Sequence, residues 1–163
     1  MSAAPVLTPT LRILPETAAD RAEVEALVLA AFGPGRFAKT AERLREAAPL
    51  STAFVAREDG RLVGSVRLWS ITIDGVEALF LGPIAVAEDA RRGGLGADLI
   101  TACIGEAQHR SASGILLVGD LAYFSRFGFQ PSPDVRLPGP ADPRRILWLN
   151  ITRMAPTGEV RPA

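Results

Sequence analysis

The sequence predicts an α/β chain of the α+β kind, a mixed and mostly antiparallel sheet flanked by helices. Asp59-Gly60 and Asp74-Gly75 separate runs rich in Val, Ile, Leu and aromatic residues, the pattern of two successive hairpins. Helical spacing of apolar residues appears twice before these runs and once after them. Ile115-Leu116-Leu117-Val118 is apolar without alternation, as in a strand buried on both faces. The length of 163 residues, 48% of them hydrophobic, suits one domain over 1–163, with a core from about 10 to 154 and a loosely held tail at 155–163.

In chain order, residues 11–14 read as a short strand. Residues 16–32 place Val24, Leu27, Val28 and Ala31 on one helical face, with Thr17 as N-cap and Gly33-Pro34-Gly35 as the stop. Phe37, Ala41, Leu44 and Ala48 repeat that face in a second helix. Its wetter side carries Arg43, Arg45 and Glu46, and Pro49 ends it. Strands at 52–57, 61–73 and 76–86 follow, joined by the Asp-Gly turns. Residues 93–110 return to helical spacing, with Leu95, Leu99, Ala102 and Cys103 on one side and Ile100, Ile104 and Ala107 beside them. After the strand at 114–118 come a short helix at 121–127, a proline-rich stretch at 131–143 and a last strand at 145–153. That last strand is apolar enough to pair with its copy in a homodimer.

Charge balance narrows the function. There are 18 basic and 18 acidic residues, so no basic surplus drives binding to a nucleic-acid backbone. The single cysteine, Cys103, and single histidine, His109, exclude an internal disulfide and a Cys/His metal cluster; no metal is expected. His109 reads as a helix C-terminal residue and Cys103 as core. Residues 1–9 lack the basic start and apolar stretch of a signal peptide, and no apolar run reaches membrane-spanning length. The expected compartment is the cytoplasm, with no membrane partner.

The informative unit is the strand ending Leu81-Gly82-Pro83-Ile84-Ala85-Val86, the connector Glu88-Asp89, and Arg91-Arg92-Gly93-Gly94-Leu95-Gly96 opening the third helix. Glycines let the backbone approach a phosphate. The unpaired amides and positive end of a new helix favour negative charge, and two arginines add to it. The Gly-Lys-Ser/Thr end of a P-loop is absent, and the glycines are not spaced Gly-x-Gly-x-x-Gly in a βαβ unit. Pro83 removes a ladder donor inside an apolar strand and marks an edge, a bulge or a strand parting from its neighbour. Backbone groups of Ile84, Ala85 and Val86 at such a split can pair with the amides of an extended ligand.

Residues 81–100, with Tyr123-Phe124-Ser125-Arg126-Phe127-Gly128-Phe129, resemble the GNAT N-acetyltransferase superfamily, and the Gly-Asp-x-Ala-Tyr-Phe-x-Arg-Phe-Gly-Phe run resembles its YhbS-like bacterial branch. The resemblance implies a GNAT fold and transfer of an acetyl group from acetyl-CoA to a primary amine of a small molecule or peptide, by direct attack. It implies that Arg91, Gly94 and Gly96 are signature positions of a pyrophosphate loop, with the amides of Arg92, Gly93, Gly94, Leu95, Gly96 and Ala97 around the phosphates. Ile84 and Val86 would pair with pantetheine, and an amide near Ile84 and Ala85 would polarise the thioester carbonyl.

Catalytic side chains are less determined. The family's usual proton-donating tyrosine falls at Phe124, leaving Phe124 to pack against the cofactor. Tyr123 is its neighbour, about 100° away around a helix, and is the candidate acid. Where some members carry a glutamate base this chain has Phe80, and Glu77 reads as a solvated hairpin residue on the opposite face. Asp120 is either the N-cap of the short helix or a group that binds the amine or takes its proton, two compatible roles. Trp69 either packs inward or lines an acceptor pocket. Phe80 and Phe124 leave a second reading open, a non-catalytic acyl-CoA-binding or regulatory module.

Overall fold

The computed structural model describes residues 10–33, 39–90 and 93–163. Strand β1 (Leu11–Pro15) leads through a 3-10 turn (Ala18–Asp20) into α1 (Arg21–Phe32), and α2 (Thr40–Ala47) follows. Thr17 is the N-cap, as expected, but of the 3-10 turn that opens the helix, and the Asp20 carboxylate folds back onto Thr17 in a capping box. It accepts the Thr17 amide at 2.8 Å and hydroxyl at 3.1 Å, and Arg57 Nη2 at 2.7 Å. Of the expected second helix, Phe37 lies outside the described residues, while Leu44 and Ala48 are buried.

Strands β2 (Leu50–Glu58), β3 (Arg61–Ile73) and β4 (Val76–Val86) form the two expected hairpins. Asp59-Gly60 and Asp74-Gly75 have φ of 49°, 84°, 48° and 79°, the doubly left-handed turn that matches strand twist. After α3 (Leu95–His109) come β5 (Gly114–Val118), α4 (Leu121–Phe124) with a 3-10 turn, β6 (Gln130–Pro131), β7 (Val135–Arg136), β8 (Ile146–Asn150) and β9 (Gly158–Pro162). The main path runs β1-β2-β3-β4-β5-β8-β6, antiparallel except for β4 with β5.

Side chains alternate across this sheet. Ala56, Val66, Leu79, Leu81, Ile115 and Leu117 face α3, which buries Leu95, Leu99, Ile100, Cys103 and Ala107 against them. Each fully buried Leu or Ile contributes about 1.5–3 kcal/mol. Gly64 permits this approach, since a Cβ there would lie 3.0 Å from Leu99 Cδ1 and 3.3 Å from Leu95 Cδ2. On the opposite face Val55, Leu62 and Ala85 pack under Val24 and Val28 of α1, while Ile71, Phe80 and Leu116 pack with Leu44 of α2.

Three expectations need correction. The tail is not loosely held: β9 pairs with β3 and β7, and Val160 is fully buried beside Ile71 and Ile73. The stretch at 131–143 is more than a connector, since it includes β7 and buries Val135 and Leu137. The last apolar strand, β8, is not a free edge for a second copy, because β6 pairs with its Trp148 and Leu147. It is also shorter than expected: the amides of Ile151, Thr152 and Arg153 all turn onto the Ser113 carbonyl at 3.0–3.2 Å.

Candidate functional site

The site begins where β4 and β5 part. Their parallel pairing consists of Leu79 with Ile115 and Phe80 with Leu116, and beyond it the strands diverge. The ladder between β3 and β4 shifts register at the same level, between Val66 and Leu68, beside Gly82 and Pro83. Trp69 of β3 braces the break, donating its indole N–H to the Gly82 carbonyl at 2.6 Å. It packs against the core on the α2 side and so fulfils the inward reading.

Further along, the Ala87 amide donates to Val63 O at 2.8 Å. The two-residue period of an antiparallel ladder then turns the backbone polar groups of Ala85 toward β3 and those of Ile84 and Val86 toward the side β5 has left. Ala85 is buried, whereas Ile84 and Val86 are half-buried.

The opening between the strands is a cleft of about 780 Å³. One wall is the end of β5 and α4, including Gly119, Asp120, Tyr123 and Phe124; the other includes Leu81, Pro83 and Ile84 of β4. Asp120 caps α4, its Oδ1 accepting the Ala122 amide at 3.1 Å, and its exposed carboxylate also lines the cleft. Tyr123 and Phe124, though neighbours on one turn, both reach the cleft, with ring centroids 5.0 Å apart edge to face. Phe124 lies over Gly119, where a Cβ would come within 2.4 Å of its ring, and edge-on to Phe129 at 5.9 Å. The Arg126 guanidinium stacks 4.5 Å from the Tyr123 ring centre.

The expected anion-binding turn adjoins this cleft. Arg91 and Arg92 lie outside the described residues. Gly93 and Gly94 are exposed with φ of 89° and 80°, a conformation side chains disfavour, and Gly94 is the N-cap of α3. Leu95 anchors the turn in the core, Ala97 is half-buried, and the Asp98 amide makes a first helical bond to Gly94 O at 3.0 Å. Amides before it have no intrahelical acceptor. A Cβ on Gly96 would lie 3.5 Å from the Tyr123 hydroxyl and 3.9 Å from Val86 Cγ2, so helix start, strand end and cleft wall meet there. In the nearby acidic connector Asp89 takes a bidentate pair from Arg61 at 2.7 and 2.8 Å, which also holds its carboxyl below the usual carboxylate range.

The remaining candidates fall away from the cleft. Glu77 is exposed on the hairpin and Phe80 is fully buried. His109 ends α3 in solvent. Cys103 is fully buried, and desolvation, with a smaller contribution from Glu106, pushes its thiol up to about 12. Among the described residues no group of three His, Cys, Asp or Glu can hold a metal, and no helix is long and apolar enough to cross a membrane.

Sequence reasoning missed three cations that also line the cleft, Lys39, Arg45 and Arg145. Arg45 was expected on the wet side of α2, yet its side chain is 13% exposed and paired with the buried Glu42 at 2.9 Å. Its Nη1 lies 3.2 Å from where a Cβ on Gly82 would sit, and its guanidinium is 5.9 Å from the Phe80 ring centre. The glycine before Pro83 was the available signal, because any side chain there would displace Arg45.

The model of the acetyltransferase (GNAT) family matches residues 20–129. The chain belongs to this family. It is 30% identical over 114 residues to the uncharacterized N-acetyltransferase YhbS of Escherichia coli K12, a match covering 68% of each chain. Its structure is similar to that of E. coli YhbS in complex with CoA, with a TM-score of 0.81, 24% identity and coverage of 100% of this chain and 94% of that one. A GNAT family acetyltransferase from Brucella melitensis in complex with acetyl-CoA aligns with a TM-score of 0.75 and 27% identity, covering 94% of this chain and 96% of the other. This GNAT acetyltransferase has a mixed sheet with helices on both faces.

Proposed function

We propose that this GNAT acetyltransferase is a cytoplasmic enzyme that binds acetyl-CoA along the cleft and transfers its acetyl group directly to a primary amine of a small molecule or peptide. The observation that carries this reading is the meeting of Gly96, Val86 and Tyr123 beside the diverging strands. A ligand with an anionic end and an extended amide-bearing arm fits a helix start that continues into the side of a strand from which β5 has parted. In this reading the amides from Arg92 to Ala97 hold the pyrophosphate with Arg91. Ile84 and Val86 align the pantetheine arm, an amide near Ile84 and Ala85 polarises the thioester carbonyl, and Phe124 packs on the arm.

The chemistry is acyl transfer within a ternary complex. The amine must lose its ammonium proton before its lone pair forms the N–C bond, and the bonded nitrogen must then shed a second proton to solvent to become a neutral amide. The C–S bond breaks as the tetrahedral oxyanion collapses, and the departing thiolate takes a proton. Asp120 is the only carboxylate among the described residues that line the cleft, and it receives the amine's proton. Tyr123 supplies a proton to the thiolate. Capping does not compete, since one Asp120 oxygen accepts the Ala122 amide and the other stays available to the amine.

Steady-state kinetics of Asp120→Asn and Tyr123→Phe test the roles. Asparagine keeps the cap but cannot take a proton, so kcat should fall by about 10²–10⁴ with helix stability retained. Tyr123→Phe should lower kcat with the affinity for acetyl-CoA nearly intact. An unchanged kcat in either variant removes that residue from the mechanism.

A further inference from the structure

We propose that the acceptor is a small amine that also carries a negatively charged group, a carboxylate or phosphate, which Arg45 recognises with Lys39 and Arg145. The inference deepens the acetyl-transfer reading and rests on it for the word acceptor. Lys39, Arg45 and Arg145 are the cations among the described cleft-lining residues, against the single carboxylate of Asp120. Glu42 offsets part of the Arg45 charge and Asp142 part of that of Arg145, but among the described residues Lys39 and Arg145 make no close ion pair. Both are exposed and offer positive charge to an approaching anion.

Arg45 is placed for recognition more than for steering. Its pair with Glu42 through Nη2, the Phe80 ring below it and the side-chain-free Gly82 beside Nη1 fix the plane of the guanidinium. A fixed guanidinium suits the planar, two-oxygen edge of a carboxylate or phosphate, and little rotamer entropy remains to be lost on binding. Asp120 on the opposite wall supplies the complementary charge for an ammonium group. An acceptor that answers both is negative at one end and an amine at the other.

The wall itself limits size. Thr40 at the start of α2 donates its hydroxyl to Pro140 O at 2.6 Å, and a Cβ on Gly139 would lie 2.9 Å from that hydroxyl. Helix and proline-rich loop are therefore held together. The volume of about 780 Å³ is that of a small-molecule site and must accommodate the thioester arm as well. A polycationic acceptor would bring like charge against Lys39, Arg45 and Arg145.

The test is equilibrium binding to the full chain in saturating CoA, using N-acetyl-β-alanine, its neutral amide and N-acetyl-2-aminoethyl phosphate as product-like probes, followed by ligand-observed NMR. At least one anionic probe should bind about tenfold or more tightly than the amide, the scale of one charge-assisted hydrogen bond. The larger of the two ratios identifies the anion. The advantage should shrink with added salt and in the exposed double variant Lys39→Gln/Arg145→Gln, and should vanish in Glu42→Gln/Arg45→Gln, which removes both members of the buried pair together. Equal or tighter binding of the amide, failure of both anionic probes to bind, or an advantage that survives both double variants overturns the proposal. Turnover of the parent amines is read separately. Anion preference with no acetylation of any amine supports the anion site and refutes transfer; acetylation of the neutral amine without anion preference supports transfer and overturns the anion site.

Discussion

Replacing Trp69 with phenylalanine probes the brace at the strand split. The substitution keeps an aromatic ring for the core and for the Arg67 guanidinium 6.0 Å away, and it removes the 2.6 Å hydrogen bond to Gly82 O. Gly82 is buried. A carbonyl left there without its donor costs about 1–3 kcal/mol. For a chain of this size each kcal/mol lowers Tm by roughly 2–4 °C, so the expected loss is about 2–12 °C by calorimetry. Because Gly82 sets the course of Ile84 and Val86, affinity for acetyl-CoA should fall several-fold as well. Trp148→Phe is the internal contrast: the Trp148 indole N–H is buried with no hydrogen-bond partner, so its removal costs packing alone and leaves acetyl-CoA affinity unchanged. A loss below about 0.5 kcal/mol in Trp69→Phe, or equal affinity losses in both variants, would refute the bracing role.

Gly114→Ala should destabilise by about 3 kcal/mol or more, since its Cβ would meet Trp148 Cζ2 at 2.1 Å and the Leu149 carbonyl at 2.5 Å; a denaturation midpoint near wild type would contradict that packing. The Arg57 hydrogen bond, with the Thr17 amide, holds the Asp20 carboxyl below its ordinary value. Its contribution is present above the unfolded value near 4 and is lost as pH falls through the folded one, so Asp20→Asn should lose stability at neutral pH and show a shallower acid decline. An acid branch identical to wild type would exclude Asp20 as a contributor. With its thiol pushed up to about 12, Cys103 should resist alkylation near pH 8 until the chain unfolds, and rapid labelling of the folded protein would contradict its burial.

How far the sequence carried the account depended on how local each signal was. The hairpins followed from Asp-Gly pairs, whose left-handed preference is written in adjacent residues. The strand split followed from Pro83, and the α3 start followed from a glycine cluster. Arg45 was misread because periodicity places it one position past buried Leu44 on an outward-facing side, and only the assembled sheet shows that a cleft lies there. Strand β9 was missed because Gly-Glu-Val-Arg-Pro carries a single large apolar residue. Its burial depends on Ile71 and Ile73, nearly ninety positions earlier in the chain. The relation between Tyr123 and Phe124 was likewise nonlocal, since both reach the cleft only because α4 is one short turn at its rim.

The most direct test is thermal unfolding with and without acetyl-CoA, in the wild-type chain and in Gly94→Glu. Filling a site to about 100 times its dissociation constant adds about 2.7 kcal/mol, a rise in Tm of roughly 5–11 °C for a chain of this size. Glutamate at 94 places a negative charge where the phosphates would lie, at a backbone φ of 80° that disfavours any side chain. Its own Tm should therefore be somewhat lower and its response to acetyl-CoA absent. A wild-type shift that disappears in Gly94→Glu is the predicted result; no shift in the wild type, or an equal shift in both proteins, would contradict the assignment of this cleft and turn to acetyl-CoA.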